Sequence, residues 1–172
     1  MPPSRIVVLG CSGSGKSTLA AALAQRWGLP YVATDDIYWR PDWTPTPSSE
    51  VRAWIEAEAA KPAWVLDGNF DAQRDVLWGR AELAVWLDLP WATTVWRVAW
   101  RNLRWWAART PVWGGLRMTW PKLVGGVRHA ARGHAQKRAT YPALLASFPA
   151  LRVVRLRWPD EVRAWLAGPP EP

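Results

Sequence analysis

The chain has 172 residues, of which 49% are apolar and 21% are charged. This length suits one domain with a hydrophobic core, and the composition excludes a disordered tail, a collagen-like chain and a transmembrane protein. A single cysteine, Cys11, excludes an intramolecular disulfide and fits a reducing compartment. We therefore expect one soluble cytoplasmic domain over residues 1–172 without a signal peptide.

The formal net charge of +8 is unevenly distributed. The segment from Leu89 to Pro159 contains thirteen Arg or Lys and no Asp or Glu, and the remaining residues carry nine basic and fourteen acidic groups. Such segregation is typical of a surface that meets an anionic partner. A merely solvated basic face is the alternative, although such a face usually contains glutamate as well.

Strand and helix patterns alternate along the chain. A β-branched strand at 5–9 precedes a Ser/Gly cluster, and a run of helix formers at 19–24 ends before Gly28. The further predicted elements are a strand at 29–33, a loop at 41–47, a helix over 51–60 with Ser48 as N-cap, strands at 64–66 and 83–87, a helix from 90 to about 109, a helix through 137–145, a strand at 151–156 and a helix at 160–166. This alternation predicts an α/β fold, a parallel sheet with helices on both faces.

The pattern is weakest between residues 110 and 136, where Gly114-Gly115 and Gly125-Gly126 interrupt it. We expect a mobile, lid-like basic insert there rather than an element of the core. His129 and His134 lie in this insert without neighbouring carboxylates or cysteines. They are therefore expected to be surface or lid residues and not zinc ligands.

Residues 10–17 read Gly-Cys-Ser-Gly-Ser-Gly-Lys-Ser and match the phosphate-binding pattern G-x-x-x-x-G-K-[ST] in full, directly after a strand and before a helix. In such a P-loop the backbone N–H groups point at phosphate oxygens, Lys16 reaches the β- and γ-phosphates, and Ser17 can ligate Mg²⁺. We therefore expect ATP and Mg²⁺ to bind here, and Cys11 to be a small filler rather than a nucleophile. The candidate nucleotide-binding residues of the loop are Gly10, Ser12, Gly13, Ser14, Gly15, Lys16, Ser17 and Thr18.

Two missing sequence motifs and the positions of three aspartates indicate which class of P-loop protein this is. The chain lacks the N-K-x-D or T-K-x-D element that reads guanine, and it lacks the L-S-G-G-Q transporter signature. Asp35 and Asp36 follow the second predicted strand and Asp67 follows the third, so a parallel sheet brings them to the edge that carries the P-loop. Asp36 and Asp67 are therefore candidates for the metal site or for activating an acceptor, as in a small kinase.

The helix after Pro90 has a cationic side. Arg97, Arg101 and Arg104 are spaced i, i+4 and i+7, which places them within an arc of roughly 60° at about 100° per residue. Arginines in this pattern can stabilise the charge on a transferring phosphoryl group. A solvated helix face is one alternative. A membrane-surface helix is another, because five tryptophans accompany the charges: Trp91, Trp96, Trp100, Trp105 and Trp106.

Several of these residues resemble a known group of enzymes. Leu66-Asp67-Gly68, and Trp86-Leu87-Asp88-Leu89-Pro90 with Arg97 and Arg101 seven and eleven residues after the proline, resemble the adenylate kinase and nucleoside monophosphate kinase group. The stretch 36–39 with Trp43, the stretch 67–70, and the Trp-rich, Arg-rich helix are similar to adenylate-kinase-like proteins of the DNA topology modulation protein family. The resemblance implies a P-loop NTPase of three α/β/α layers, with a five-stranded parallel sheet in the order 2-3-1-4-5 and a helical lid at about 110–136.

The resemblance also implies roles for arginines of the basic segment. Arg97 and Arg101 match arginines at the base of the lid that contact the ATP phosphates. Arg132 and Arg138 correspond, in a looser alignment, to arginines on the return side of the lid. Arg157 would border the adenine.

The chain departs from the adenylate kinase pattern on the acceptor side. Adenylate kinases have D-G-F-P-R after the third strand, whereas this chain has Asp-Gly-Asn-Phe-Asp at 67–71, so the arginine that holds the AMP phosphate is missing. Arg74 could substitute for it. The helical AMP-binding insert is shortened to residues 48–60, which puts AMP as acceptor in doubt.

The sequence therefore predicts a Mg²⁺-ATP-dependent phosphotransferase whose acceptor is an unidentified nucleotide or small hydroxylated metabolite. The predicted catalytic residues are Lys16, Asp36, Asp67, Arg97, Arg101 and Arg138, and the predicted metal ligands are Ser17, Asp36 and Asp67. The alternative is a nucleic-acid-binding regulator, switched by ATP, that affects DNA topology. We expect no membrane partner, and the sequence leaves the oligomeric state open.

Overall fold

The computed structural model describes residues 3–40, 44–112 and 115–168, without the side chains of Asp35, Asp36 and Trp39. Its strands are β1 (Arg5–Gly10), β2 (Tyr31–Val32), β3 (Trp39–Arg40), β4 (Thr44–Pro45), β5 (Trp64–Asp67), β6 (Leu83–Leu87), β7 (Pro111–Val112), β8 (Leu116–Arg117) and β9 (Arg152–Leu156). Its helices are α1 (Lys16–Trp27), α2 (Asp35–Tyr38), α3 (Ser48–Ala59), α4 (Arg74–Arg80), α5 (Trp91–Ala107), α6 (Trp120–Ala146) and α7 (Pro159–Ala167).

Five strands form the central sheet in the order β2-β5-β1-β6-β9, and all neighbouring pairs are parallel. Counted along the chain these five strands stand in the order 2-3-1-4-5, which confirms the predicted α/β architecture. Two small antiparallel pairs, β3 with β4 and β7 with β8, lie outside this sheet. The carboxyl ends of the central strands therefore meet at one edge, where the P-loop follows β1.

Alternate side chains of β1 enter two separate cores. Ile6 and Val8 pack with Leu19 and Leu23 of α1 on one face of the sheet. Val7 and Leu9 pack on the other face with residues of α3, α4 and α6, among them Ile55, Trp78 and Tyr141. A strand covered on both faces is apolar along its whole length, as the run at 6–9 is.

Two predicted boundaries are wrong in detail, and one short helix was not predicted. Ser48 is the first residue of α3 and Pro47 is the N-cap, and the Ser48 hydroxyl instead accepts a hydrogen bond of 3.1 Å from Gln73 Nε2. Helix α4 escaped the sequence analysis because the seven-residue segment contains Gly79 and only one helical turn is buried, at Leu77 and Trp78. The second sheet strand is shorter than expected and covers only Tyr31–Val32.

The expected break at Gly125-Gly126 is also wrong, because α6 runs without interruption through both glycines. A Cβ at Gly126 would lie 2.8 Å from Nδ2 of Asn102 on α5. The missing side chain thus lets the two helices approach closely, and the packing offsets the helix-forming cost of glycine, about 1 kcal/mol. Gly114 lies outside the described residues.

Candidate nucleotide-binding site

The P-loop joins the end of β1 to the first residue of α1. Its glycines at 13 and 15 have φ values of +79° and +94°, and Ser14 N donates to Cys11 O at 3.2 Å. The loop thus turns tightly enough for α1 to begin at Lys16, with its N-terminal backbone at the carboxyl edge of the sheet. This backbone arrangement is the one that the sequence motif requires.

Helix α5 packs directly on the loop at Gly13. A Cβ there would lie 2.2 Å from Thr94 O and 2.8 Å from Val98 Cγ2. The positive φ and this contact both require glycine. The part of α5 around Thr94 and Val98 is therefore packed closely against the P-loop.

Two polar groups of the loop are arranged for an anion. The Lys16 ammonium donates a 3.1 Å hydrogen bond to Cys11 O, which holds the side chain over the loop. The Ser14 hydroxyl is buried and has no hydrogen-bond partner among the described residues. An unpartnered buried hydroxyl costs free energy in the absence of ligand, and a phosphate oxygen at the loop would satisfy it.

Cys11 is only 5% exposed. Burial raises the pKa of its thiol, opposed by a hydrogen bond with Thr94 and by the nearby charge of Lys16. A thiol that stays protonated is a poor nucleophile. The structure thus agrees with Cys11 as a filler.

The loop opens onto a cavity of about 1030 Å³. Residues 12–18 form one wall, α5 and α6 form the opposite wall, and α7 closes the side with Val162 and Arg163. In the described part of the chain the charged lining residues are Lys16, Arg97, Arg101, Lys122 and Arg163, with one carboxylate, that of Asp67. A cavity with this charge balance favours a polyanionic ligand.

The predicted arginine side of α5 divides between two surfaces. Arg97 and Arg101 line the cavity, and Arg97 Nη1 lies 3.9 Å from the position of a Cβ on Gly15. The Arg101 guanidinium stacks 4.6 Å from the centroid of the Trp105 ring. Arg104 is not among the cavity residues but lines an outer groove with Trp96 and Trp100, and Arg97 and Arg101 line that groove as well. The structure therefore brings two of the three arginines to the P-loop.

Asp67 ends β5 and faces the cavity with its side chain largely buried. One carboxylate oxygen, Oδ1, accepts hydrogen bonds from Thr34 N at 3.3 Å and from Thr34 Oγ1 at 3.4 Å. These bonds fix the carboxylate and connect the loops after β2 and β5. The side chain of Asp36 lies outside the described residues, so its predicted role stays a prediction.

The structure adds Asn69, which the sequence analysis quoted only as part of a motif. Asn69 Oδ1 accepts a 3.0 Å hydrogen bond from Gly10 N at the start of the P-loop. The next residue, Phe70, is buried with a φ of +44°, and its ring stacks on Tyr38 with centroids 5.2 Å apart. The left-handed backbone at a bulky residue marks this loop as tightly constrained.

Arg138 lies near a buried carboxylate. Its Nε is 3.7 Å from Oδ2 of Asp88, which follows β6 and has a side chain only 3% exposed. Arg155 of β9 donates to the same oxygen from Nη2 at 2.6 Å and Nε at 3.1 Å, and its guanidinium stacks on Trp86. The ion pair between Asp88 and Arg155 was not predicted, because the two residues lie far apart in the sequence and neither residue type indicates its partner.

Three other predicted arginines do not line the cavity. Arg157 is exposed, and its backbone N donates to Glu161 Oε2 at 2.6 Å, whereas Arg163 on α7 reaches the cavity instead. Arg132 lies on the exposed side of α6. Arg74 donates to the backbone oxygen of Asp71 at 2.6 Å.

The two histidines differ from each other. His129 lines the cavity from α6, in line with a lid position. His134 is 6% exposed, and its Nε2 lies 2.8 Å from Leu89 O, so its assignment to the surface or lid is wrong. Among the described residues no group of three His, Cys, Asp or Glu could hold a metal ion.

No protein-family model matches the chain. The chain is 34% identical to the uncharacterised protein YqaC of Bacillus subtilis over 49% of either chain. It is 32% identical to an adenylate kinase of Gloeobacter violaceus over 59% of this chain and 60% of that enzyme. The chain thus spans about half the length of these two relatives.

Two further similarities concern a short segment and a structure. A match of 34 residues is 50% identical to an adenylate kinase of Streptomyces griseus and covers 20% of this chain and 94% of that protein. A solved structure of a gluconokinase from Sinorhizobium meliloti 1021 aligns with a TM-score of 0.47 and 21% identity, over 96% of this chain and 92% of that one. No helix among the described residues is long and apolar enough to span a membrane. The P-loop, the sheet order and the adenylate kinase relatives together show that the chain belongs to the P-loop proteins with an adenylate-kinase-like kinase fold.

Proposed function

We propose that the protein is a Mg²⁺-ATP-dependent phosphotransferase of the nucleoside monophosphate kinase type. The observation that carries the proposal is that residues 12–17 of the P-loop, Arg97 and Arg101 line the same cavity. Phosphoryl transfer needs little covalent chemistry from the protein; it needs phosphates held in position and cations around the group that is transferred. The cavity supplies both.

The residues of the cavity divide the work. The loop amides and Lys16 hold the β- and γ-phosphates, and the Ser14 hydroxyl gains the partner that it lacks in the described structure. Arg97 and Arg101 approach from the opposite wall and stabilise the negative charge on the transferring phosphoryl group. Arg138 does not line the cavity but lies near Asp88, and it is proposed to join them when nucleotide binds.

The donor set at the cavity also fits a magnesium ion. Ser17 and Asp67 both line the cavity and offer hydroxyl and carboxylate oxygens, which are the hard ligands that Mg²⁺ prefers. These two residues, with Asp36 as a third candidate, would hold the ion. When bound, the ion neutralises charge on the β- and γ-phosphates.

The acceptor side favours a small hydroxylated metabolite over AMP. In place of the arginine that holds the AMP phosphate stands Asp71, an acid, which accepts hydrogen bonds from Lys137 Nζ at 2.7 Å and Tyr141 Oη at 2.9 Å. A carboxylate that is paired with Lys137 does not supply the positive charge that the arginine offers to a phosphate. Asp36 is proposed as the base for the acceptor hydroxyl.

The test is a screen of nucleoside monophosphates, nucleosides and small hydroxylated metabolites for acceptor-dependent ADP release. Lys16→Ala is the matched negative control: it should keep the fold and remove the charge that holds the phosphate. Its turnover with the best acceptor should fall at least about 100-fold, because a charge-assisted contact to the transferring group is lost. Equal turnover and equal ATP affinity in the variant would refute the proposal.

A second candidate is an ATP-switched regulator that binds nucleic acid and affects DNA topology. It is supported by the thirteen basic residues between Leu89 and Pro159 and by the resemblance to DNA topology modulation proteins. Phosphate contacts would make duplex affinity fall steeply with salt. Filter binding to duplex DNA at two salt concentrations, with and without ATP, distinguishes this candidate from a kinase that binds no DNA.

A further inference from the structure

Helix α5 exposes a large apolar surface on the side opposite the cavity. Four tryptophans and one leucine form what we call the tryptophan face. Their exposed fractions are 67% for Trp96, 51% for Trp100, 40% for Leu103, 43% for Trp106 and 57% for Trp120. Contiguous exposure of this kind is uncommon and marks a contact surface.

The geometry of α5 separates this face from the nucleotide site. Thr94, Val98 and Asn102 are buried toward the protein at intervals of four residues. Trp96 and Trp100 point about 160° and 120° away from Thr94 around the helix. Trp96 and Trp100 directly precede Arg97 and Arg101, and these two arginines line the cavity on one side and the outer groove beside the indoles on the other.

The tryptophan face contains two pairs of rings in contact. The Trp96 and Trp100 rings stack with centroids 6.1 Å apart, and Trp106 packs edge-on against Trp120 at the start of α6 with centroids 5.6 Å apart. The outer groove lined by Trp96, Trp100 and Arg104 places a cation at the edge of these rings. Indoles beside arginines are typical of helices that lie in the headgroup region of a lipid bilayer.

We propose that the tryptophan face docks on a membrane surface that contains anionic lipids. Charge complementarity supports this occupant, because the segment from Leu89 to Pro159 is entirely without acids. The same feature opposes a symmetric contact with a second copy, which would bring the Arg104 residues of two chains together. Bases of a single strand can stack on exposed indoles beside arginines, but Leu103 would then gain no apolar contact. This proposal reverses the sequence-based expectation of no membrane partner.

The test is co-sedimentation of the full chain with vesicles of phosphatidylcholine alone or mixed with phosphatidylglycerol. The protein should bind the anionic vesicles and release partly as salt is raised. The double variant Trp96→Ala/Trp100→Ala should lower the bound fraction at least about tenfold, because two indoles leave the interface. Trp158→Ala is the matched control, since Trp158 is 57% exposed but lies at the start of α7, outside the face.

Circular dichroism and ADP release without vesicles should be unchanged in the double variant, because both side chains are exposed and outside the cavity. Three results would overturn the proposal: no binding to anionic vesicles, equal loss of binding in Trp158→Ala, or equal binding to both kinds of vesicle. A dimer in light scattering, or single-stranded DNA binding, that the double substitution abolishes while vesicle binding is absent would assign the face to a second copy or to nucleic acid instead.

Discussion

The two walls of the cavity hold charge in different ways. The P-loop wall is built by backbone: its glycines set the turn, Asn69 holds Gly10 N, and Lys16 is bonded to Cys11 O. The opposite wall is built by side chains on α5 and α6, and Arg97 pairs with no carboxylate among the described residues. The backbone of the P-loop wall is thus held in place within the protein, although the Ser14 hydroxyl lacks a partner, whereas Arg97 on the other wall has no counter-charge from the described part of the chain.

Substitutions in the two walls should therefore have different effects, one on stability and the other on activity. Because the P-loop wall is tied to β1, β5 and α5, a change in its backbone should destabilise the whole domain. A change on the opposite wall removes a charge that matters once phosphate is present, so it should affect the reaction and leave stability nearly unchanged.

Gly13→Ala should have the largest effect on stability, because the new Cβ would meet Thr94 O at 2.2 Å and the φ is +79°. We expect the free energy of unfolding to fall by about 3 kcal/mol. Gly28→Ala is the matched control: its φ is +65° but no heavy atom lies within 4 Å of a Cβ, so only about 1 kcal/mol of backbone strain applies. Denaturant unfolding measures both, and equal losses would show that α5 does not pack on the loop.

Arg101→Ala should lower kcat about 10- to 100-fold with a smaller change in ATP affinity, because its contact is made mainly in the transition state. Arg104→Ala, on the same helix but in the outer groove, should change kcat less than about twofold. Steady-state kinetics with titration calorimetry separate the two parameters. If both variants lose the same activity, the inward and outward arginines are not distinct.

Closure of the lid should be confined to a shorter segment than the sequence predicts. A non-hydrolysable ATP analogue with Mg²⁺ should slow amide exchange in residues 108–119, which contain the β7–β8 pair. Gly125 and Gly126 should already be protected in the empty protein, because they lie within α6. Exchange at 125–126 as fast as in 108–119 would restore the hinge that the sequence suggested.

Alkylation of Cys11 is the experiment with the smallest expected effect, and it tests whether the P-loop is closed in the absence of ligand. Since burial raises the pKa of its thiol, the reactive thiolate forms only at higher pH than in a free cysteine. Alkylation by iodoacetamide at pH 8 should therefore be at least about tenfold slower than that of a free thiol, and ATP should slow it further. Fast alkylation that ATP does not change would mean that the empty loop is open.

The fold was predictable because its signals are local or motif-based. The β-branched run of β1 and the P-loop pattern predict strand, turn and helix without knowledge of tertiary contacts, and the sheet order followed from the resemblance. The path of α6 was not predictable, because the close contact of Gly126 with Asn102 overrides the local preference of a glycine pair. The cytoplasmic location and the boundaries of the lid stay predictions.

The candidate site was predictable where one residue type does one job. Lys16 and Ser17 follow from the motif, Arg97 and Arg101 follow from the helical spacing together with the resemblance, and all four line the cavity. The hydrogen bonds that hold the site in place were not predictable. The bond between Asn69 and Gly10 joins residues 59 positions apart, and the bond between Arg155 and Asp88 joins residues 67 positions apart. A carboxamide or a carboxylate in a loop gives no sign of the partner that the sheet will bring to it.

Because α6 is continuous, it connects the nucleotide cavity with the loop at Asp71. The helix has 27 residues, a rod of about 40 Å. One part of it lines the cavity at Lys122 and His129, and a later part binds Asp71 through Lys137 and Tyr141, before the helix reaches Pro142. We therefore expect a displacement at the nucleotide end to reach the loop that holds Asp71. We also expect occupancy of either end to alter the affinity of the other, by a factor that thermodynamic linkage makes the same in both directions.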